Sequence, residues 1–76
     1  MINAEEMFME LGFKKSTLIN KNNVARYKIT NSQNFVAFYK NDDGTIKVDY
    51  KIGARYNKKK RFMECISKQM EEIQND

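Results

Sequence analysis

The 76-residue chain has no histidine, no proline and no tryptophan, and it has a single cysteine, Cys65. One cysteine cannot form an internal disulfide, a pattern typical of proteins from a reducing compartment. Without a histidine or a second cysteine, Cys65 also has no activating base and no partner for a metal. We therefore interpret Cys65 as a half-buried structural thiol, and we expect a protein that is not an enzyme and binds no cofactor or metal.

Long apolar runs are also missing. No run approaches the roughly 20 residues that cross a membrane, and the first ten residues carry Glu5, Glu6 and Glu10, unlike a signal peptide. The sequence thus predicts an intracellular protein with no membrane partner. Its length predicts one domain, residues 1–76, which buries only about 60% of the unfolded chain's surface.

The clearest pattern is a hairpin at residues 34–52. Ile46, Val48, Tyr50 and Ile52 alternate with polar residues without a break, which is typical of a half-buried strand. The segment Asn41–Gly44 precedes this run and supplies an Asp-Gly turn. Two further strands, at residues 13–19 and 24–30, are separated by turn segments and predict an antiparallel meander.

A helix is predicted on each side of the meander. The first covers residues 2–11, with Asn3 and Glu6 forming a capping box and Gly12 ending the helix. Its apolar stripe is Ala4, Met7, Phe8 and Leu11. The second begins after Asn57 as its N-cap and runs to about Gln74. Its apolar stripe is Phe62, Met63, Ile66, Met70 and Ile73.

The predicted fold is α+β, in the order α-β-β-β(-β)-α, with both helices packed on one face of the sheet. An even turn at residues 41–44 would place the side chains of Phe35, Ala37 and Tyr39 beneath the helices. An odd turn or bulge in the preceding hairpin would then seat Tyr27 and Ile29 inside. The opposite, open face is predicted to carry Arg26, Lys28, Val36, Phe38, Lys40, Lys47, Asp49 and Lys51.

Charge is concentrated in the middle of the chain. Residues 13–61 contain 13 lysine and arginine residues against three aspartates, whereas both flanking segments are acidic. The run Lys58-Lys59-Lys60-Arg61 falls at the start of the second helix, where cations are unfavourable by about 0.3–1 kcal/mol each. Such a helix start suits an anion, either a phosphate or an acidic protein surface. The alternative is that these lysines, and those of the sheet, are only solvated and discourage strand-edge aggregation.

Two segments carry a family resemblance. EEMFMELGFKK near the beginning and FMECISKQMEEI near the end, on either side of a short meander, resemble small uncharacterised proteins of phages and prophages of low-GC Gram-positive bacteria. The resemblance implies a helix–meander–helix fold and a location in the host cell cytoplasm. It also implies a protein that binds and inhibits a host or defence protein, or modulates a nucleic-acid process.

These observations lead to two hypotheses. The first is a phage-type binding protein that docks on a host or defence macromolecule, with a protein as partner. The alternative is a nucleic-acid-binding accessory protein that uses a basic surface. In both, the expected contact residues are Lys58, Lys59, Lys60, Arg61, Arg26, Lys28, Phe38, Lys40, Lys47 and Lys51. A free strand edge leaves monomer and homodimer open.

Overall fold

The computed structural model describes residues 2–17 and 21–75 and contains two helices and four strands. They are α1 (Ala4–Glu10), β1 (Phe13–Lys15), β2 (Asn23–Ile29), β3 (Phe35–Lys40), β4 (Ile46–Lys51) and α2 (Lys59–Gln74). The strands form one antiparallel sheet in the order β1-β2-β3-β4. This confirms the predicted α+β fold. Leu18, Ile19 and Asn20, which we assigned to a strand end and a turn, lie outside the described residues.

The start of α1 follows the local sequence signals. The Glu6 N–H donates to Asn3 Oδ1 at 2.8 Å, and the Asn3 N–H donates to Glu6 Oε1 at 3.4 Å, so the capping box is confirmed. Gly12 follows the helix with a φ of +92°, which glycine adopts readily. The chain then turns back so that the Phe13 ring lies 5.7 Å from that of Phe8.

Aromatic contacts place both helices on the same face of the sheet. Phe8 of α1 stacks on Tyr27 of β2 at 4.3 Å and meets Phe38 of β3 edge-on at 6.2 Å. Phe62 of α2 lies 6.1 Å from Phe8 and 5.6 Å from Tyr50 of β4. The core is therefore a layer of rings between the two helices and one side of the sheet, as predicted.

Strand β3 is turned over relative to our prediction. Val36 and Phe38 are both completely buried and belong to the core beneath the helices. Phe35 and Tyr39 are half-buried and face the other way, since they pair with Lys51 and Lys47 of β4. The prediction of Phe38 and Val36 as open-face residues was wrong. Lys40 was also misplaced, because it pairs with Ile46 on the helix side.

Loop lengths explain this inversion. The β3–β4 loop has five residues, 41–45, because Lys40 pairs with Ile46 and the Asn41 N–H donates to the Thr45 carbonyl at 2.8 Å. Asp43 Oδ1 accepts from both the Thr45 N–H and hydroxyl, so Thr45 belongs to the turn and not to the strand. In the preceding hairpin the Ile29 N–H donates to the Asn34 carbonyl, leaving an even loop of residues 30–33. Both parities are opposite to the predicted ones, so only β3 is reversed.

Helix α2 also differs in detail. Its N-cap is Lys58 rather than Asn57, and no side chain caps it. Cys65 and Gln69 are buried on the helix face that meets the sheet, whereas Met63 is 41% exposed. The buried face of α2 is thus rotated relative to the predicted apolar stripe. The Tyr27 hydroxyl donates to Gln69 Oε1 at 2.5 Å, which explains why this polar residue is buried. Cys65 is fully buried, not half-buried as expected.

The orientation of β3 can be tested by stability. We expect Phe38→Ala to lower the free energy of unfolding by about 3–5 kcal/mol, because it opens a cavity in the ring layer. Phe35→Ala is the matched control, three residues away on the opposite face of β3, and should cost about 1 kcal/mol or less. Urea denaturation followed by circular dichroism measures both values. A larger loss for Phe35→Ala than for Phe38→Ala would contradict this orientation.

Candidate functional site

The face of the sheet turned away from the helices, here called the open face, collects cationic and aromatic side chains. Strand register assigns to it Lys14, Arg26, Lys28, Phe35, Ala37, Tyr39, Lys47, Asp49 and Lys51. Four of the predicted contact residues, Arg26, Lys28, Lys47 and Lys51, are therefore brought together as expected. Phe38 and Lys40 are not part of this face.

Two aromatic rings of β3 lie among these cations. Phe35 and Tyr39 are four residues apart on the central strand, which separates them by about 13 Å. The Arg26 guanidinium carbon lies 5.9 Å from the Phe35 ring centre, and Lys47 Nζ lies 5.9 Å from that of Tyr39. Both distances are within the range of cation–π attraction. Ala37 lies between the rings on the same strand face and is buried, with 2% of its surface exposed.

A depression of about 490 Å³ lies beside the Tyr39 ring, at the end of the sheet that carries the 41–45 turn. Its walls combine one aromatic ring, two amides, two lysines and a carboxylate: Tyr39, Asn22, Asn41, Lys21, Lys47 and Asp49. A second depression of about 330 Å³ lies on β1 and β2 and includes Lys14 and Lys28. The open face therefore has a lysine-lined hollow at two places.

Few carboxylates accompany these cations. Lys47 Nζ lies 3.8 Å from Asp49 Oδ2, and Lys51 Nζ donates to Gln33 Oε1 at 2.7 Å. Lys14 and Lys28 are directly opposite each other across β1 and β2. Within residues 2–17 and 21–75 neither of these two lysines has an ion-pair partner. Like charges facing each other across strands are destabilising, so folding alone does not account for this pair.

The Lys58–Arg61 run lies in the helix layer, apart from the open face. Lys58, Lys59 and Lys60 are exposed. Arg61 forms ion pairs within the protein, since its guanidinium lies 3.0 Å from Glu64 and 3.6 Å from Glu10 of α1. The hydrogen bond that Arg61 donates to Glu64 raises the pKa of the Arg61 guanidinium. The four residues thus divide into three exposed lysines and one arginine that joins the two helices.

Lys40 lies on the helix side of the sheet and lines a different cavity. This cavity of about 390 Å³ lies between β2, β3 and the C-terminal half of α2, and its other walls are Val24, Gln69, Glu72 and Ile73. Gln69, in the wall of this cavity, accepts from the Tyr27 hydroxyl. Burial raises the pKa of this hydroxyl, and the negative charges of Glu5 and Glu72 raise it further. The hydroxyl therefore stays protonated as the donor to Gln69.

The described residues contain no group of three or more His, Cys, Asp or Glu side chains that could hold a metal ion. No helix within them is both long and apolar enough to cross a bilayer. Burial raises the pKa of the Cys65 thiol, which disfavours the nucleophilic thiolate.

No protein-family model matches the chain, and comparisons with curated proteins and with solved structures found no match either.

Sequence reasoning missed Phe35, Tyr39, Lys14 and Lys21 as candidate site residues. The signal was present in the β3 sequence FVAFYK, which has an aromatic residue on each face of the strand, so that either orientation exposes a ring. Lys14 would follow from pairing β1 with β2, which places it beside Lys28.

Cys65 should be unreactive while the protein is folded. We expect a thiol reagent to label it at least about 100-fold more slowly in the native protein than in denaturant, because reaction requires the buried side chain to open. Absorbance during labelling at mildly alkaline pH measures the rate, and the denatured chain is the control. Labelling of the native protein as fast as that of the denatured chain would contradict the burial of Cys65 against the sheet.

Proposed function

We propose that this protein is a small non-enzymatic binding protein that holds single-stranded nucleic acid on its open face. The proposal rests mainly on one observation: Phe35 and Tyr39 are partly exposed on the central part of the sheet, and each has a cation 5.9 Å from its ring centre. In single-strand binders, bases stack on aromatic rings while nearby cations follow the phosphates.

The arrangement of cations supports the same ligand. Lys28 and Lys51 pair with Phe35 from the two neighbouring strands, and Arg26 lies 5.9 Å from its ring centre. Lys14 lies opposite Lys28 on β1, and Lys21 and Lys47 line the hollow beside Tyr39. The unfavourable Lys14–Lys28 pair would be relieved by a phosphate placed between the two ammonium groups. In the hollow beside Tyr39 the Asn41 side-chain amide donates to Thr45 Oγ1 at 2.8 Å, and its carbonyl oxygen can accept from a base edge.

Stacking predicts a specific response to mutation. We expect the purified protein to bind a labelled single-stranded DNA or RNA oligonucleotide, and Phe35→Leu or Tyr39→Leu to weaken binding about 5- to 150-fold, equivalent to 1–3 kcal/mol for each stacked base. Leucine retains apolar bulk but removes the flat ring. Fluorescence anisotropy at about 50 mM salt measures affinity, and its dependence on salt should have a log–log slope no steeper than about −4.2 for the six cations.

Tyr50→Leu is the matched control, because Tyr50 is an exposed aromatic on the helix side of the sheet and should not affect binding. No affinity for single strands at low salt would overturn the proposal. Equal affinity for duplex DNA, with no effect of the two ring substitutions, would show phosphate attraction without stacking and would contradict it as well.

We propose docking on a host or defence protein, in a phage context, as a second candidate function. Three exposed lysines, Lys58, Lys59 and Lys60, stand at an α2 start that no side chain caps, so free N–H groups and positive charge coincide there. These features suit an acidic protein surface. The resemblance to small phage proteins supports the same role, and so does the apolar side chain of Met9 on α1, which is 57% exposed.

Two charge-matched variants separate the candidates. Gln at Lys58, Lys59 and Lys60 should abolish capture of a protein partner from nuclease-treated lysate of infected host cells, and it should leave oligonucleotide binding intact. Gln at Lys28, Lys47 and Lys51 removes the same charge from the open face and should do the reverse. Arg61 is kept because it joins the helices. Mass spectrometry identifies the captured protein, and capture that survives the first variant removes this cluster from consideration.

A further inference from the structure

The two edges of the sheet differ in how well they are protected. Edge β1 has only three residues, two of them lysines, and short charged edges resist pairing with another chain. Edge β4 has six residues, Ile46–Lys51, with neither a bulge nor a proline. A strand of this length presents a row of unused backbone donors and acceptors.

The register shows which backbone groups of β4 face outwards. Asn41 and Thr45 are hydrogen-bonded, and hydrogen-bonded pairs alternate along an antiparallel ladder, so Lys47 and Asp49 use their backbone groups toward β3. The N–H and C=O groups of Ile46, Val48 and Tyr50 therefore point to the free edge. The Lys40 N–H supports this assignment, because it donates to the Asn22 carbonyl and so points away from its pairing partner Ile46 on β4.

The helices cover β4 incompletely. Ile46 and Val48 are only half-buried although they face the core, and Tyr50 is 45% exposed although its ring meets Phe62. These three apolar side chains belong to the same residues whose backbone groups are free. A second strand laid along β4 would cover both at once.

We infer that two copies of this chain pair antiparallel through β4, about a two-fold axis at Val48. In this register Val48 lies opposite its own copy and Ile46 lies opposite Tyr50, so all the outward backbone groups of these residues find partners. Lys47 lies opposite Asp49 of the second copy, twice, on the open face. Opposite charges facing each other across strands favour the pairing.

Neighbouring registers fit less well. An axis at Asp49 would place two aspartates opposite each other and Lys47 opposite Lys51, both unfavourable. An axis at Tyr50 would use only the last residues of the strand, which ends at Lys51. The inferred dimer joins two four-stranded sheets into one and makes the two open faces continuous. This inference concerns self-association and goes beyond the proposed binding function.

The register allows a charge-exchange test. We expect the full chain to sediment at twice its 9.0 kDa mass at high concentration. Lys47→Asp or Asp49→Lys alone should each weaken dimerisation about tenfold, because each places like charges opposite each other at two positions. The double variant K47D/D49K should restore it, since the exchanged pair is again complementary.

Sedimentation equilibrium without nucleic acid gives the dissociation constants, so the result is independent of whether the open face binds oligonucleotides. A chain that stays monomeric at about 0.5 mM would overturn the inference, since the dissociation constant would then be too high for a specific dimer. A dimer unaffected by both single variants would place the interface elsewhere. Failure of the double variant to restore dimerisation would overturn the register.

Discussion

Phe8 is the contact on which the whole fold depends. Its ring stacks on that of Tyr27 and lies edge-on to the rings of Phe13, Phe38 and Phe62. This one side chain therefore connects α1 with β1, β2, β3 and α2. A helix of seven residues has no stability of its own, and α1 exists because this ring is docked. The same contact requires Phe38 to point toward the helices. The outward direction of Phe35 and Tyr39 follows from it, since neighbouring residues of a strand face opposite sides.

The parts of the fold that could be predicted are those whose partners are close in sequence. The capping box joins Asn3 and Glu6, three residues apart, and the strict alternation of β4 fixes its own faces. The orientation of β3 has no such local determinant, because FVAFYK offers apolar residues on both sides. It depends on whether Thr45 belongs to the turn or to the strand. A hydrogen bond from Thr45 to Asp43 decides this, and one residue of loop length turns over every side chain of β3.

The same limit applies to α2 and to the candidate site. Apolar periodicity favoured Met63 as a core residue over Gln69, yet Gln69 is buried because the Tyr27 hydroxyl needs a partner inside the protein. A pattern based on hydrophobicity cannot anticipate a buried polar pair. The lysines and the arginine of β2 and β4 were assigned correctly to the open face, because their strands alternate clearly. The rings among them were not, because they belong to β3.

Acidic side chains are distributed unequally between the two sides of the fold, although the helix layer also carries the exposed Lys58, Lys59 and Lys60. The helices carry most of the acids, and several of these already have partners in the helix layer: Glu5 with Lys15, Glu10 with Arg61, and Glu72 with the Ala4 N–H. On the open face Asp49 is the one carboxylate among five cations of the strands described. The excess of positive charge on the open face therefore attracts a polyanion to that side of the sheet. The proposed single-stranded ligand would meet this positive charge around Phe35 and Tyr39 before it contacts the rings.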